Sequence, residues 1–197
     1  MLGLPGQRHF AWVFTLNTLG IGAALVSSHS YMTRNVAFPP EVLVLSTVVS
    51  RFVEFSIEML LVVVVLASAR HEGLTVGLVA LPLVMILHGL LIAGVVFPIA
   101  ALGVFFEDVQ HAVPVALTLL TLLTPVYYPM SYVPESWQLV LSLNPFAGLM
   151  NLYHVTLYDG RLPTIAEVTM LAFVAIGVFS VGLMLFRWKR ASFAEVV

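Results

Sequence analysis

From Leu74 to Phe105 the sequence runs without a single Asp, Glu, Lys or Arg. A helix needs roughly 20 apolar residues to cross a hydrocarbon core about 30 Å thick. This run is longer than one crossing requires, and Pro82 and Pro98 within it predict a tilted or broken helix rather than a straight one. The rest of the chain points the same way. Of its 197 residues 60% are hydrophobic and 9% charged, against roughly 25% charged in soluble domains. That leaves too little polar surface to cover a soluble globule. Membrane-spanning strands would show short alternating segments, so the expected fold class is all-α, a polytopic membrane helix bundle.

About five spans are expected. The first, near Ala11–Ser28, is interrupted by Thr15, Asn17, Thr18, Gly20 and Gly22. Small and hydroxylated residues of this kind suit a helix packed against protein rather than lipid. The polar connector "SHSYMTRNVAFPPE" leads to the second, "VLVLSTVVSRFVEFSIEMLLVVVVLASA". Leu74–Phe105 is the third, about Ala112–Leu123 the fourth and Ile165–Phe186 the fifth. The fifth opens on Thr164 with Glu167 three positions later, a capping box. It closes on Arg187, Lys189 and Arg190, a cluster that places the C-terminus in the cytoplasm. Counting back puts Arg34 inside and Arg8, Arg70 and Arg161 outside. An outer N-terminus without a recognisable signal peptide is unusual, and a further helix upstream of Met1 would account for it.

"TPVYYPMSYVPESW" breaks this regularity. Pro125, Pro129 and Pro134 stop the fourth span; "PESWQLVLSL" then reads as a short helix, and "NPFAGLMNLYHVTLY" as another with Asn144 as cap and Pro145 at its first position. Each is too short to cross, so residues 125–149 are predicted to form a re-entrant hairpin on the outer side, a structure tolerated where protein or a water-filled cavity covers its backbone. The aromatic residues Tyr127, Tyr128, Tyr132 and Trp137 have two readings. They anchor the chain at the interface, or they form a surface that stacks on sugars or guides a lipid headgroup out of the membrane.

Arg51, Glu54 and Glu58 share one face of the second span. Each costs roughly 2.5–3.5 kcal/mol at the bilayer centre, so they must pair or face protein. One reading is a polar lining or coupling element at the cytoplasmic end of that helix. The other is an Arg51–Glu54 pair near the headgroups, helped by snorkelling, which leaves Glu58 least explained.

Other chemistry is narrowed by what the sequence lacks. Without cysteine there is no thiol nucleophile or thiolate metal site, and the six histidines share no metal-ligand spacing. A net charge of −2 argues against a nucleic-acid partner. The single lysine, Lys189, follows no glycine-rich phosphate loop, so any ATP is bound by another chain. Asp108 and Asp159 lie in different connectors, which disfavours an intramembrane enzyme built on paired aspartates. No catalytic residue, metal or cofactor of the chain's own is expected.

"VAFPPEVLVLSTVVSRFVEF", "ALGVFFEDVQHAVPVALTLLTLLTPVYYPMSYVPESW" and "LSLNPFAGLMNLYH" resemble the transmembrane permeases of ABC-2 exporters, in the branch that exports polysaccharide, O-antigen, teichoic acid and galactan. The resemblance runs from about Ala11 to the C-terminus. It implies one permease domain over residues 1–197 in a multi-pass protein of the bacterial cytoplasmic membrane. That permease forms a homodimer, works with two separate ATPase subunits and moves a lipid-linked glycan outward. It further implies that residues 29–41, with Asn35, Phe38, Pro39, Pro40 and Glu41, form a cytoplasmic segment that couples to the ATPase. The segment Pro125–Leu149 is then the family's pair of outer re-entrant helices, with Tyr127, Tyr128, Tyr132 and Trp137 near the exit of the glycan path. Two departures stand out. Family members usually begin with an amphipathic interfacial helix and one more span, and Glu107 and Gln110 occupy positions where basic residues are expected. The alternatives are an exporter of a drug or small lipid within the same superfamily, an intramembrane enzyme, and a membrane scaffold.

Overall fold

The computed structural model describes residues 6–26, 28, 39–69, 75–128 and 132–193; among them are seven α-helices and no strand. They are α1 (Gly6–Gly22), α2 (Pro40–Ala69), α3 (Leu81–Phe105), α4 (Val109–Leu122), α5 (Glu135–Ser142), α6 (Pro145–Tyr153) and α7 (Ile165–Lys189). A 3-10 turn at Val76–Ala80 precedes α3, and another at Arg190–Ser192 follows α7. At 1.5 Å per residue α2 is about 45 Å long and α3 and α7 about 38 Å, enough to cross a bilayer. The chain is an all-α membrane helix bundle.

The ends of the helices sort into two faces. On one, Glu41 at the start of α2 meets Arg190 beyond α7, and Phe105 at the end of α3 packs on Phe193. On the other, Arg8 donates to the Pro125 carbonyl at 2.9 Å, and the Gly77 amide donates to the Gly160 carbonyl at 2.9 Å. Arg187, Lys189 and Arg190 therefore share one face and Arg8 and Arg161 the other, the alternation expected from the basic residues. Helix α4 is about 21 Å long, short of a full crossing. Irregular chain at 123–128 completes it and docks on the start of α1 through Arg8 and His9.

The long charge-free run is broken once, at the 3-10 turn, and then continues as a single α-helix with Pro98 inside it. Pro82 sits in the first turn of α3, where its missing N–H removes no intrahelical bond. Pro98 has no N–H to offer the Gly94 carbonyl four residues earlier. Gly182 of α7 lies directly against that carbonyl, so that a methyl group at Gly182 would strike it. A methyl at Gly94 would sit 2.5 Å from the Phe179 amide nitrogen, and one at Gly103 would strike the Ala23 carbonyl after α1. The α3·α7 contact is the most extensive between any two helices described, and its glycines let the backbones touch.

Two short helices, α5 and α6, form in the proline-rich stretch, whose residues 129–131 lie outside the described ones. The Asn144 side chain accepts from the Phe146 amide at 3.0 Å and donates to the Leu123 carbonyl and the Thr124 hydroxyl, tying the start of α6 to the end of α4. Helix α6 then buries Phe146, Leu149, Met150 and Tyr153 in the bundle core. A π-helical turn, His154–Asp159, ends on Gly160 in the left-handed region at φ 67°, where glycine carries no steric cost. The Thr164–Glu167 capping box is present and starts α7.

Candidate coupling and translocation surfaces

The expected coupling segment is met at its last three residues. Pro39, Pro40 and Glu41 lead into α2, while Asn35 and Phe38 lie outside the described residues. Glu41 does not project outward. It is 7% exposed, and its Oε1 accepts from Arg190 Nη1 at 2.7 Å with Arg187 Nε at 3.7 Å. Its other oxygen, Oε2, is buried with no hydrogen-bond partner among the described residues. A carboxylate in the first turn of one helix thus faces cations at the last turn of another, and each charge suits the helix end that carries it. Burial of this anion is tolerated because it is paired.

A second polar site lies where α1 crosses α2. Arg51 Nη1 and Glu54 Oε2 are 2.7 Å apart. With Glu58, Asn17, Thr18 and Phe55 they line a pocket of about 20 Å³, room for about one water. These charges lie 11 to 18 residues beyond Pro40, or about 17–27 Å along α2 from its start, which is mid-helix. The expected Arg51–Glu54 pair forms, opposite the middle of α1. Glu58 faces the same pocket without an ion-pair partner among the described residues. The facing wall, Asn17 and Thr18, was legible only as polar interruptions of the first span.

The deepest polar group was not singled out by sequence reasoning. His88, wholly buried on α3, bonds the Thr15 hydroxyl at 2.9 Å and the Tyr153 hydroxyl at 3.1 Å. The rings of Phe14 and Phe55 meet it edge-on at 4.9 and 5.6 Å. This cluster ties α1, α3 and the hairpin helix α6 together. Its one signal in the sequence is that His88 is the only titratable residue in the Leu74–Phe105 run.

The four aromatic residues proposed for the outer exit do not converge. Tyr127 hydroxyl lies 2.9 Å from His9 Nδ1, and Tyr128 donates to the Leu122 carbonyl at 2.8 Å, closing the end of α4. Tyr132 and Trp137 are exposed, and no ring contact among the described residues joins the four. Behind the hairpin, a mostly apolar pocket of about 130 Å³ opens between α6 and α7, lined by Gly148, Asn151, Met170 and Val174 among others. Beside it, Arg161 lies 3.9 Å from Asp159 and 3.6 Å from Glu167. His154 stacks on Tyr158 and lies 3.7 Å from Asp159. Burial holds the His154 imidazole below its ordinary pKa, the charge of Arg8 lowers it further, and Asp159 opposes both.

These surfaces belong to a recognisable lineage. The family model described as "ABC-2 type transporter" matches residues 9–158. An O-antigen export system permease protein RfbA from Myxococcus xanthus is 31% identical over 188 residues, 94% of this chain and 72% of that protein. A protein of the same name from Klebsiella pneumoniae is 25% identical over 170 residues, 86% of this chain and 65% of that relative. A second Klebsiella pneumoniae protein of that name is 21% identical over the same shares. The match runs from the first turn of α1 to Tyr158, and so includes α2 to α6 but not α7 or Arg8, Asp159, Arg161 and Arg190. The chain belongs to the ABC-2 type transporter family.

Proposed function

We propose that this chain is the transmembrane permease subunit of an ATP-driven exporter that moves a lipid-linked polysaccharide outward across the bacterial cytoplasmic membrane. The observation that carries the reading is the match over 94% of the chain to a relative named as an O-antigen export permease. The permease works as a homodimer with two separate ATPase subunits, which bind and hydrolyse the ATP. It spans the membrane several times and has no catalytic residue of its own.

In this reading ATP closes the partner ATPases, and residues 29–41 carry that movement to the start of α2. The spans then rearrange to pass the glycan. Arg51, Glu54 and Glu58, with Asn17 across from them, supply polar partners for sugar hydroxyls at mid-membrane, where apolar walls would supply none. Exposed Tyr132 and Trp137 lie on the outer side, suited to stacking on sugar rings as they emerge. The test is gentle purification of the tagged chain from native membranes together with deletion of its gene. An equimolar co-purifying ATPase and accumulation of lipid-linked glycan on the inner face are the expected results. An ATPase without any change in the glycan pool points to a drug or small lipid as cargo. Both results together support the assignment, an ATPase alone overturns its glycan cargo, and the absence of an ATPase overturns the exporter reading itself.

A further inference from the structure

Resting on the exporter reading above, we infer that Glu41 is not a docking residue for the ATPase but a strut that joins the coupling segment to α7. Its carboxylate is turned inward, more than nine-tenths buried, and held by Arg190 at 2.7 Å with Arg187 at 3.7 Å. Among the described residues helices α2 and α7 share no extended packing, and these ion pairs link the start of one to the end of the other. Glu41 is also two residues from Pro39, where the described part of the coupling segment begins.

What lies beyond the strut is stiff. Helix α7 rests on α3 with backbones in contact at Gly94 and Gly182, and α3 in turn meets the end of α1 at Gly103 and Ala23. Phe97, Phe186, Phe193 and Phe105 form a continuous aromatic chain under the same end. A displacement delivered at Glu41 therefore reaches α7 and is passed to α3 and α1 as a body, because close-packed backbones shift together rather than compress.

The experiment uses the permease with its co-purified ATPase and reads three quantities in each variant: ATPase bound, ATP hydrolysed and glycan exported. Glu41→Gln and Arg190→Gln are expected to keep the ATPase bound and hydrolysing while export falls roughly 5-fold or more, the low end of coupling between sites. Arg187→Gln, at the longer distance, falls less. The exchange E41R/R190E restores most of the export. Because the native chain contains no cysteine, E41C/R190C offers a second arm that does not rely on burying an arginine. A short bis-methanethiosulfonate, which forms a disulfide with each cysteine and releases methanesulfinate, is expected to bridge the pair and restore the export that the two cysteines abolish.

Unchanged export in both single variants overturns the strut. So does a fall in export matched by loss of the chain from the membrane with no change in export per ATP, since that is purely structural support. Complete bridging of the cysteine pair without recovery overturns it as well. If the wild-type chain brings no ATPase, the exporter reading has failed instead, and the bridging yield at positions 41 and 190 still decides whether the clasp exists.

Discussion

The α3·α7 contact and the α1·α2 crossing are built on opposite plans. At the first, glycines let the two backbones touch, and a backbone carbonyl freed by Pro98 lies against Gly182. At the second, charged side chains of α2 face Asn17 and Thr18 of α1 across a pocket large enough for about one water. Lipid gives helices no hydrophobic reason to associate, so close van der Waals packing has to hold a membrane bundle together. The glycine contact supplies that and permits little adjustment. The charged crossing packs less tightly, and its polar groups can exchange partners. One contact is suited to transmitting force and the other to meeting a changing substrate.

The comparison breaks most visibly at Gly182. In G182A the added methyl strikes the Gly94 carbonyl, and α7 must move off α3 along the whole contact. The expected loss is at least the roughly 1–3 kcal/mol of an overpacked core site. It should appear as a lower melting temperature and reduced monodisperse protein in detergent. Gly177 on the same helix has nothing within 4 Å of an added methyl, so G177A is the matched control and should be neutral or stabilising. Equal behaviour of the two variants would mean that the backbones are not in contact.

Next in size is His88, which bridges the two regions. H88A leaves the Thr15 and Tyr153 hydroxyls without their shared partner inside the bundle and opens a cavity between Phe14 and Phe55. The orphaned hydroxyls alone cost about 1–3 kcal/mol. Because Tyr153 belongs to α6, hydrogen exchange should rise in the hairpin amides as well as in α3. A change confined to α3 would show that the cluster does not hold the hairpin.

How much of this was legible depended on whether the signal was local. The Asn144 and Thr164 caps act within a few residues of where they are written, and the structure places both as expected. The contact of Gly94 with Gly182 joins residues far apart in sequence, and isolated glycines in two apolar runs do not announce each other. The same holds for Thr15, His88 and Tyr153, three unremarkable polar residues that only the folded bundle brings together. Glu41 was legible as a residue at the coupling segment, but its inward turn was not, since its partners lie 146 and 149 positions away. The aromatic residues showed the limit of composition: four rings in one segment point to an interface without saying whether they meet.

At the charged crossing the order of effects is itself the test. Arg51 and Glu54 are 39% and 59% exposed, so losing the pair costs at most about 1 kcal/mol of stability. R51A alone leaves Glu54 and Glu58 as two uncompensated carboxylates at mid-helix, each of which carries roughly 2.5–3.5 kcal/mol on insertion scales. The double variant R51A/E54A removes one of them. Membrane abundance should therefore be lower for R51A than for R51A/E54A, while export should be lost in both if the polar face meets the substrate. Normal export from R51A/E54A would reduce the crossing to a pair that merely neutralises itself.

The smallest expected effect concerns the hinge between hairpin and α7. His154 has its folded-state pKa held below the ordinary value by burial, with Arg8 adding to the shift and Asp159 opposing it. The unfolded state then binds more protons over the interval between the two pKa values, so stability rises with pH there. It is fully present above the unfolded value near 6.5 and is lost as pH falls toward the lowered folded value. The imidazole is more than a third exposed, so solvent screening keeps the effect small. It should register as faster exchange of the amides at 154–160 on going from neutral to mildly acidic pH, without global unfolding. D159N removes the group that raises the pKa and should enlarge that acid response, whereas R8Q removes a group that lowers it and should shrink it. The opposite signs of the two variants separate the titration of His154 from a general acid loosening of the outer face, which would leave both like the wild type.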